Sequence, residues 1–155
     1  MPTHYRGAPA DQARLNAFIK LQRGSLALNA SLNAWLSSQG LTVGQFGILE
    51  TLLHLGPLCQ HELGAKLLSS KPNISAVLDN LERDGLVRRE PDAQDRRSRR
   101  VHLSPAGKRL IEKAFPAFVA HLRQAFAGLS APELEALGGL HKKLGLSLEA
   151  RSKKL

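Results

Sequence analysis

From Ala10 to Ser38 a stripe of mostly apolar residues, Leu15, Phe18, Ile19, Gln22, Leu26, Asn29, Leu32, Trp35 and Leu36, falls at spacings of three and four. The spacing predicts a helix about 40 Å long at ~1.5 Å per residue, with Gly24 as a weak point inside it. That is long for a chain of 155 residues, so part of its apolar face calls for a partner outside the core. Gly40 ends the stripe. Thr42 with Gln45 three residues on has capping-box spacing, and Phe46, Ile48, Leu49, Leu52 and Leu53 supply the buried face of a second helix, stopped by Gly56-Pro57. A third, short helix is predicted from about Gln60 to Leu68. After a Ser69-Ser70 turn, Ile74, Val77, Leu78 and Leu81 give a fourth over Ser70–Asp84, with Pro72 in its first turn and Gly85 as its C′ residue.

The period then changes. Leu86 and Val87, and later Val101, His102 and Leu103, read as two short strands, with Pro91, Asp92 and an arginine cluster assigned to the connection. Ser104-Pro105 is an N-cap followed by an N1 proline. It opens a helix through Leu110, Ile111, Phe115, Phe118, Leu122 and Phe126, in which Pro116 is expected to cause a kink or break. Ser130 and Glu133 form another capping box. Leu134, Leu137, Leu140 and Leu144 make a last helix to about Ala150.

Two short helices joined by a turn and followed by a β-hairpin make a winged helix-turn-helix. The predicted fold is mainly α with a small β-hairpin wing. It is read as one domain over 1–155, with a DNA-binding lobe at 42–104 and dimerisation helices at 10–38 and 105–150. Interlocked outer helices suit a homodimer, because two half-sites supply specificity that one short helix lacks.

Charge sharpens this picture. The net charge is +9 and the isoelectric point about 10.3, which favours an anionic partner, nucleic acid first. Between Arg88 and Arg109, eight Lys/Arg stand against Glu90, Asp92 and Asp95. A major groove is read by polar or basic side chains near a helix N-terminus. Here those are Ser70, Lys71, Asn73 and Ser75, with Asn80 further along. In the wing, Arg96 and Arg97 suit a minor groove, where negative potential is concentrated. Of Arg99 and Arg100, alternation along a strand lets one face a duplex, and Arg99 is taken. Asp95, inside a basic run, is read as orienting the wing.

The hairpin resembles the wing signature of the multiple-antibiotic-resistance regulator (MarR) family. The pattern Gly-Leu-Val-x-Arg, then Asp-x-Arg, then apolar-x-Leu-Thr-x-x-Gly falls on Gly85, Leu86, Val87, Arg89, Asp95, Arg97, Val101, Leu103, Ser104 and Gly107, with Ser104 in the Thr place. The helix before it, ISAVLDNLERDG, is similar to the family's run, with Ser75 in a Thr place. The resemblance covers about residues 12–150. It implies a homodimeric regulator, usually a repressor, that binds a palindromic operator on double-stranded DNA and is released by a small-molecule effector or by oxidation. By it, Arg97 makes the minor-groove contact. Family ligands sit between the dimerisation helices and the DNA-binding lobe, which makes Trp35, Phe46, His54, His61 and Phe115 the candidate lining.

Cys59 is the only cysteine, so an intramolecular disulfide is excluded. It is expected at the start of the third helix as a small inert residue. A redox-sensing role for it, and a winged-helix module that binds protein instead of DNA, are the alternatives. His54, Cys59, His61 and Glu62 lack ligand spacing, so neither metal nor cofactor is expected. Paired carboxylates, a Ser/His/Asp set and a phosphate-cradling loop are missing from the sequence, which disfavours an enzyme. With no leader pattern in MPTHYRGAPADQ and no apolar run near ~20 residues, a cytoplasmic protein without membrane contact is expected.

Overall fold

The computed structural model describes residues 3–67, 71–92 and 98–152, except the side chains of Lys71, Pro72 and Ser152. In chain order the elements are α1 (Pro9–Ser38), α2 (Val43–Leu55), β1 (Leu58–Cys59), α3 (Gln60–Lys66), α4 (Lys71–Arg83), β2 (Val87–Pro91), β3 (Arg99–Leu103), α5 (Pro105–Ala125) and α6 (Ala131–Ser152). The chain divides into two compact units, Met1–Val119 and Ala120–Leu155.

Local chemistry sets the boundaries in the first unit. Gly40 has φ +71 and ends α1 with two tightening bonds, Gly40 N–H to Ser37 O at 3.0 Å and Leu41 N–H to Leu36 O at 3.0 Å. Gly85, with φ +70, ends α4 the same way, through Gly85 N–H to Glu82 O at 3.0 Å and Leu86 N–H to Leu81 O at 2.8 Å. Both are Schellman closures, in which glycine takes the left-handed conformation and the next residue turns back to the helix. That next residue is Leu in each case, and both pack with the core. Thr42 and Gln45 make the reciprocal capping bonds at 3.2 and 2.9 Å.

The core lies where α2, α3 and α4 meet the sheet. Ile48, Leu49, Leu63, Leu78, Leu81, Val101 and Ile111 are fully enclosed. The three-stranded antiparallel sheet has the order β1-β3-β2. β1 is the element the periodicity missed. It is two residues long, pairs Leu58 with Val101 and Cys59 with Arg100, and is too short to show any alternation.

The hairpin also differs from expectation. Leu86 precedes β2 because its N–H closes α4. Pro91 belongs to β2, where it pairs with Arg99; lying at the end of an outer strand, it leaves no ladder bond unmade. Arg88, Arg89, Arg99 and Arg100 therefore lie in the strands, not in the connection. α3 stops at Lys66, before the expected Leu68. α5 runs unbroken through Pro116; the break expected there is absent.

The junction of hairpin and α5 is tight. Ser104 N–H bonds to Leu86 O at 3.0 Å. Ser104 Oγ donates to Gly85 O at 2.6 Å and accepts from Gly107 N–H at 2.9 Å. A Cβ on Gly107 would lie 2.0 Å from Leu86 O, so only glycine fits there.

In the second unit, Ser130 caps α6. Its N–H and hydroxyl both donate to Glu133 Oε2, at 2.8 and 2.6 Å. The Ser130 hydroxyl, and then its backbone N–H, hold the Glu133 carboxyl below the usual range. Leu134, Leu137, Leu140, Leu144 and Leu148 lie within one stripe of α6 and are all exposed.

Candidate nucleic-acid interface

α4 turns Ile74, Leu78 and Leu81 into the core. At about 100° per residue, the opposite face carries Asn73, Ala76, Asn80 and Arg83, all exposed. Two of these, Asn73 and Asn80, match the sequence reading. Arg83 was missed, although its position opposite the apolar stripe was available from the helical wheel. Ser75 is partly buried and shares a flank with Asp79 and Glu82. Lys71 opens α4. Ser70 lies outside the described residues, as do Asp95, Arg96 and Arg97.

That flank of α4 is acidic, and β2 neutralises it. The Arg89 guanidinium bonds to Asp79 through Nη2 and lies 3.4 Å from Glu82 Oε2 through Nε. Arg89 N–H also donates to Glu82 Oε1 at 3.0 Å. The Arg89 side chain is 13% exposed, so it is a fixed strut between β2 and α4, not a surface cation.

The other strand arginines differ in the same manner. Arg88 Nε pairs with Glu90 Oε1 at 3.0 Å, and Glu90 also faces His102 across the ladder at 3.4 Å. Arg100 reaches Asp92 Oδ2 through Nε at 2.9 Å and Nη2 at 2.8 Å, and Nη1 donates to Pro57 O at 2.9 Å. Hydrogen bonding to Asp92 raises the Arg100 pKa further, keeping it cationic. Arg99 is exposed. Among the described residues it is the hairpin arginine without an ion pair. Alternation puts it on the sheet face of Arg89 and Val101, the face from which Arg89 reaches α4. Of the two residues that the sequence sets on opposite faces, Arg100 is held by Asp92 and Arg99 is exposed.

Sequence reasoning missed Asp92. It is 6% exposed, and its N–H bonds to Ser98 O at 3.0 Å. Cys59 Sγ donates to the same Oδ2 at 3.1 Å. A hydrogen bond with Ser98 lowers the Cys59 pKa, but burial and the Asp92 carboxylate outweigh it and the thiol is held above its ordinary value. Cys59 is the N-cap of α3 as expected, and its N–H donates to Glu62 Oε2 at 2.7 Å. The only hint of Asp92's role in the sequence was an acid set among arginines.

Four of the five candidate effector residues come together. Trp35 and Phe46 meet edge to face at 6.4 Å, and His54 meets Phe115 at 4.7 Å. Phe118, which was not selected, joins the halves at 4.5 Å from Phe46 and 6.4 Å from Phe115. Phe46 is buried, Trp35, Phe115 and Phe118 border the core, and His54 is exposed at the edge of the cluster. His61 stands apart, exposed on α3, with no ring contact among the described residues.

The arrangement is therefore a helix with a polar outer face beside a basic hairpin, with the acids of both, among the described residues, tied to arginines. The family model described as MarR family matches residues 39–98. An uncharacterised HTH-type transcriptional regulator of Bacillus subtilis (strain 168), YkoM, is 36% identical over 107 residues, 69% of this chain and 70% of its own. Among solved structures, AbsC, a MarR family transcriptional regulator from Streptomyces coelicolor, superposes with a TM-score of 0.83 at 25% identity, covering 96% of this chain and 99% of that one. A MepR–DNA complex from S. aureus gives 0.73 at 26% identity, covering 83% and 96%. By sequence and by fold, this chain belongs to the MarR family of helix-turn-helix transcriptional regulators.

Proposed function

We propose that this regulator binds palindromic operators on double-stranded DNA as a homodimer. The outer face of α4 enters the major groove, with Lys71, Asn73 and Asn80 at base edges or phosphates and Ser70 and Ser75 flanking them. Arg99, with Arg96 and Arg97 of the wing, takes the adjacent backbone and minor groove, and Asp95 helps to orient the wing. Residues 42–104 are the DNA-binding lobe; 10–38 and 105–150 are the dimerisation helices. The observation that carries this reading is the commitment of Asp79 and Glu82 to Arg89. It removes the repulsion an acidic flank would exert on phosphates and leaves Arg83 and Arg99 on the exposed side. The similar MepR chain was solved with DNA, which supports the same use here.

The exposed leucine stripe of α6 and the exposed Phe18 and Leu26 of α1 supply the apolar surface that a second copy covers. A dimer sets two α4 helices about 34–36 Å apart, one turn of duplex. The protein acts in the cytoplasm as a repressor without catalytic turnover. It is released when a small apolar or aromatic effector wedges into the Trp35, Phe46, His54 and Phe115 cluster, with His61 at most a peripheral contact.

Selection of genomic fragments by the purified protein tests this. Retained fragments should share a palindrome, and binding should weaken with salt by ~0.9 in log–log slope per phosphate neutralised. Absence of retention at low salt overturns it.

A further inference from the structure

Asp92 is an acid buried in the most basic part of the chain, and one of its oxygens collects three donors. Oδ2 receives Arg100 Nε at 2.9 Å, Arg100 Nη2 at 2.8 Å and Cys59 Sγ at 3.1 Å. These come from two different strands, since Cys59 of β1 pairs with Arg100 of β3. Asp92 itself is the first residue past β2, and its N–H closes onto Ser98, the last residue before β3. One carboxylate thus ties together all three strands where the wing leaves the sheet. Burying a carboxylate is unfavourable unless its donors are fixed in place. Arg100 is fixed on its far side by Pro57 O, and Cys59 by its capping bond to Glu62. The chain of contacts therefore runs from the α3 N-terminus through Cys59 and Asp92 to Ser98, and Asp92 and Ser98 are the two ends from which the wing connection departs.

We infer that Asp92, gripped by Arg100 and Cys59, is the positioning residue that sets the direction in which the wing leaves the sheet, and so sets wing contact with DNA. This rests on the DNA-binding reading above. Cys59 acts in it as a hydrogen-bond donor. The thiol is the one donor of the three that a one-atom truncation removes without removing a charge, and an isosteric serine can restore it, which makes it the cleanest probe.

The test uses the full-length protein and a duplex recovered by the wild type in the genomic selection. Hydroxyl-radical footprints, anisotropy titrations at several salt concentrations and thermal melts are recorded for wild type, D92A, C59A and C59S. Wild-type retention of the duplex checks DNA binding separately, so a failure of that reading is seen before the variants are compared. The expected result is that D92A loses at least tenfold in affinity, about one unit of salt slope and the footprint outside the major-groove contacts, which stay protected. C59A should weaken binding about threefold with the same selective footprint loss, and C59S, whose hydroxyl restores the donor, should recover it. Wild-type footprints in D92A and C59A overturn the inference. So does uniform fading of the whole footprint in step with a lowered melting temperature, which is what general destabilisation produces. If D92A does not fold, the C59A and C59S pair decides alone.

Discussion

Arg89 on β2 and Asp79 on α4 are joined by a direct guanidinium–carboxylate bond, ten residues apart in sequence. Glu82 completes the clamp, with Arg89 N–H donating to Oε1 at 3.0 Å. The pair fixes the hairpin against the helix that presents the polar face. R89A should lower stability by about 1–2 kcal/mol in urea unfolding, discounted because the acids are solvated. R89K keeps the charge but not the fork and should recover less than half. An unchanged midpoint in R89A would show the clamp to be incidental.

Gly107 lies so close to the Leu86 carbonyl that a Cβ would reach 2.0 Å from the oxygen and 2.9 Å from its carbon. Backbone has to move to admit it. G107A should cost about 3 kcal/mol, the upper part of the overpacking range, read as a lower denaturant midpoint with an unchanged m-value.

The raised pKa of Cys59 makes stability depend on alkaline pH. Its ordinary value is 9.0, and the folded state favours the neutral thiol. That contribution is complete below the unfolded thiol's pKa and drains away as pH rises through the folded one. The wild-type urea midpoint should fall from about pH 8.5 upward relative to C59S, which has no thiol to ionise. Parallel curves for the two proteins would refute it.

Arg99 and Asn73 separate the two kinds of DNA contact. R99A should reduce the salt slope by ~0.9 and weaken binding alike on operator and unrelated duplexes. N73A should lose about 1–3 kcal/mol on the operator alone. Competition titrations with both duplexes measure each, and an exchange of the two patterns would reverse the assignment.

Leu144 sits near the middle of the exposed α6 stripe. L144E would bury a carboxylate in an apolar interface, which is strongly unfavourable. Sedimentation velocity should find the wild type dimeric and L144E monomeric at micromolar concentration. A dimeric variant would move the interface elsewhere.

Helices and their ends were readable because their causes are local. Thr42 with Gln45, Gly40, Gly85 and Ser104 act within a few residues, so spacing alone located them. β1 was invisible since its two residues form a strand only through the partner Val101–Arg100 segment, forty residues away. The fates of the strand arginines Arg88, Arg89, Arg99 and Arg100 were invisible for the same reason. In sequence Arg89 and Arg100 are simply two members of a basic cluster, and they become struts once Asp79, Glu82 and Asp92 are brought against them by the fold. Of the kink or break expected at Pro116, the break is absent, since α5 continues through it.

Ser104 bonds to both Gly85 O and Leu86 O, so the hairpin's entry and exit are stapled at one point. Inside that staple Val87 and Val101 belong to the core and Arg89 grips α4, so the freely exchangeable part is the connection between Asp92 and Ser98. Its length and charge can be changed while α4 and α5 keep their places, and a regulator built this way can acquire a new binding preference by replacing that short connection alone.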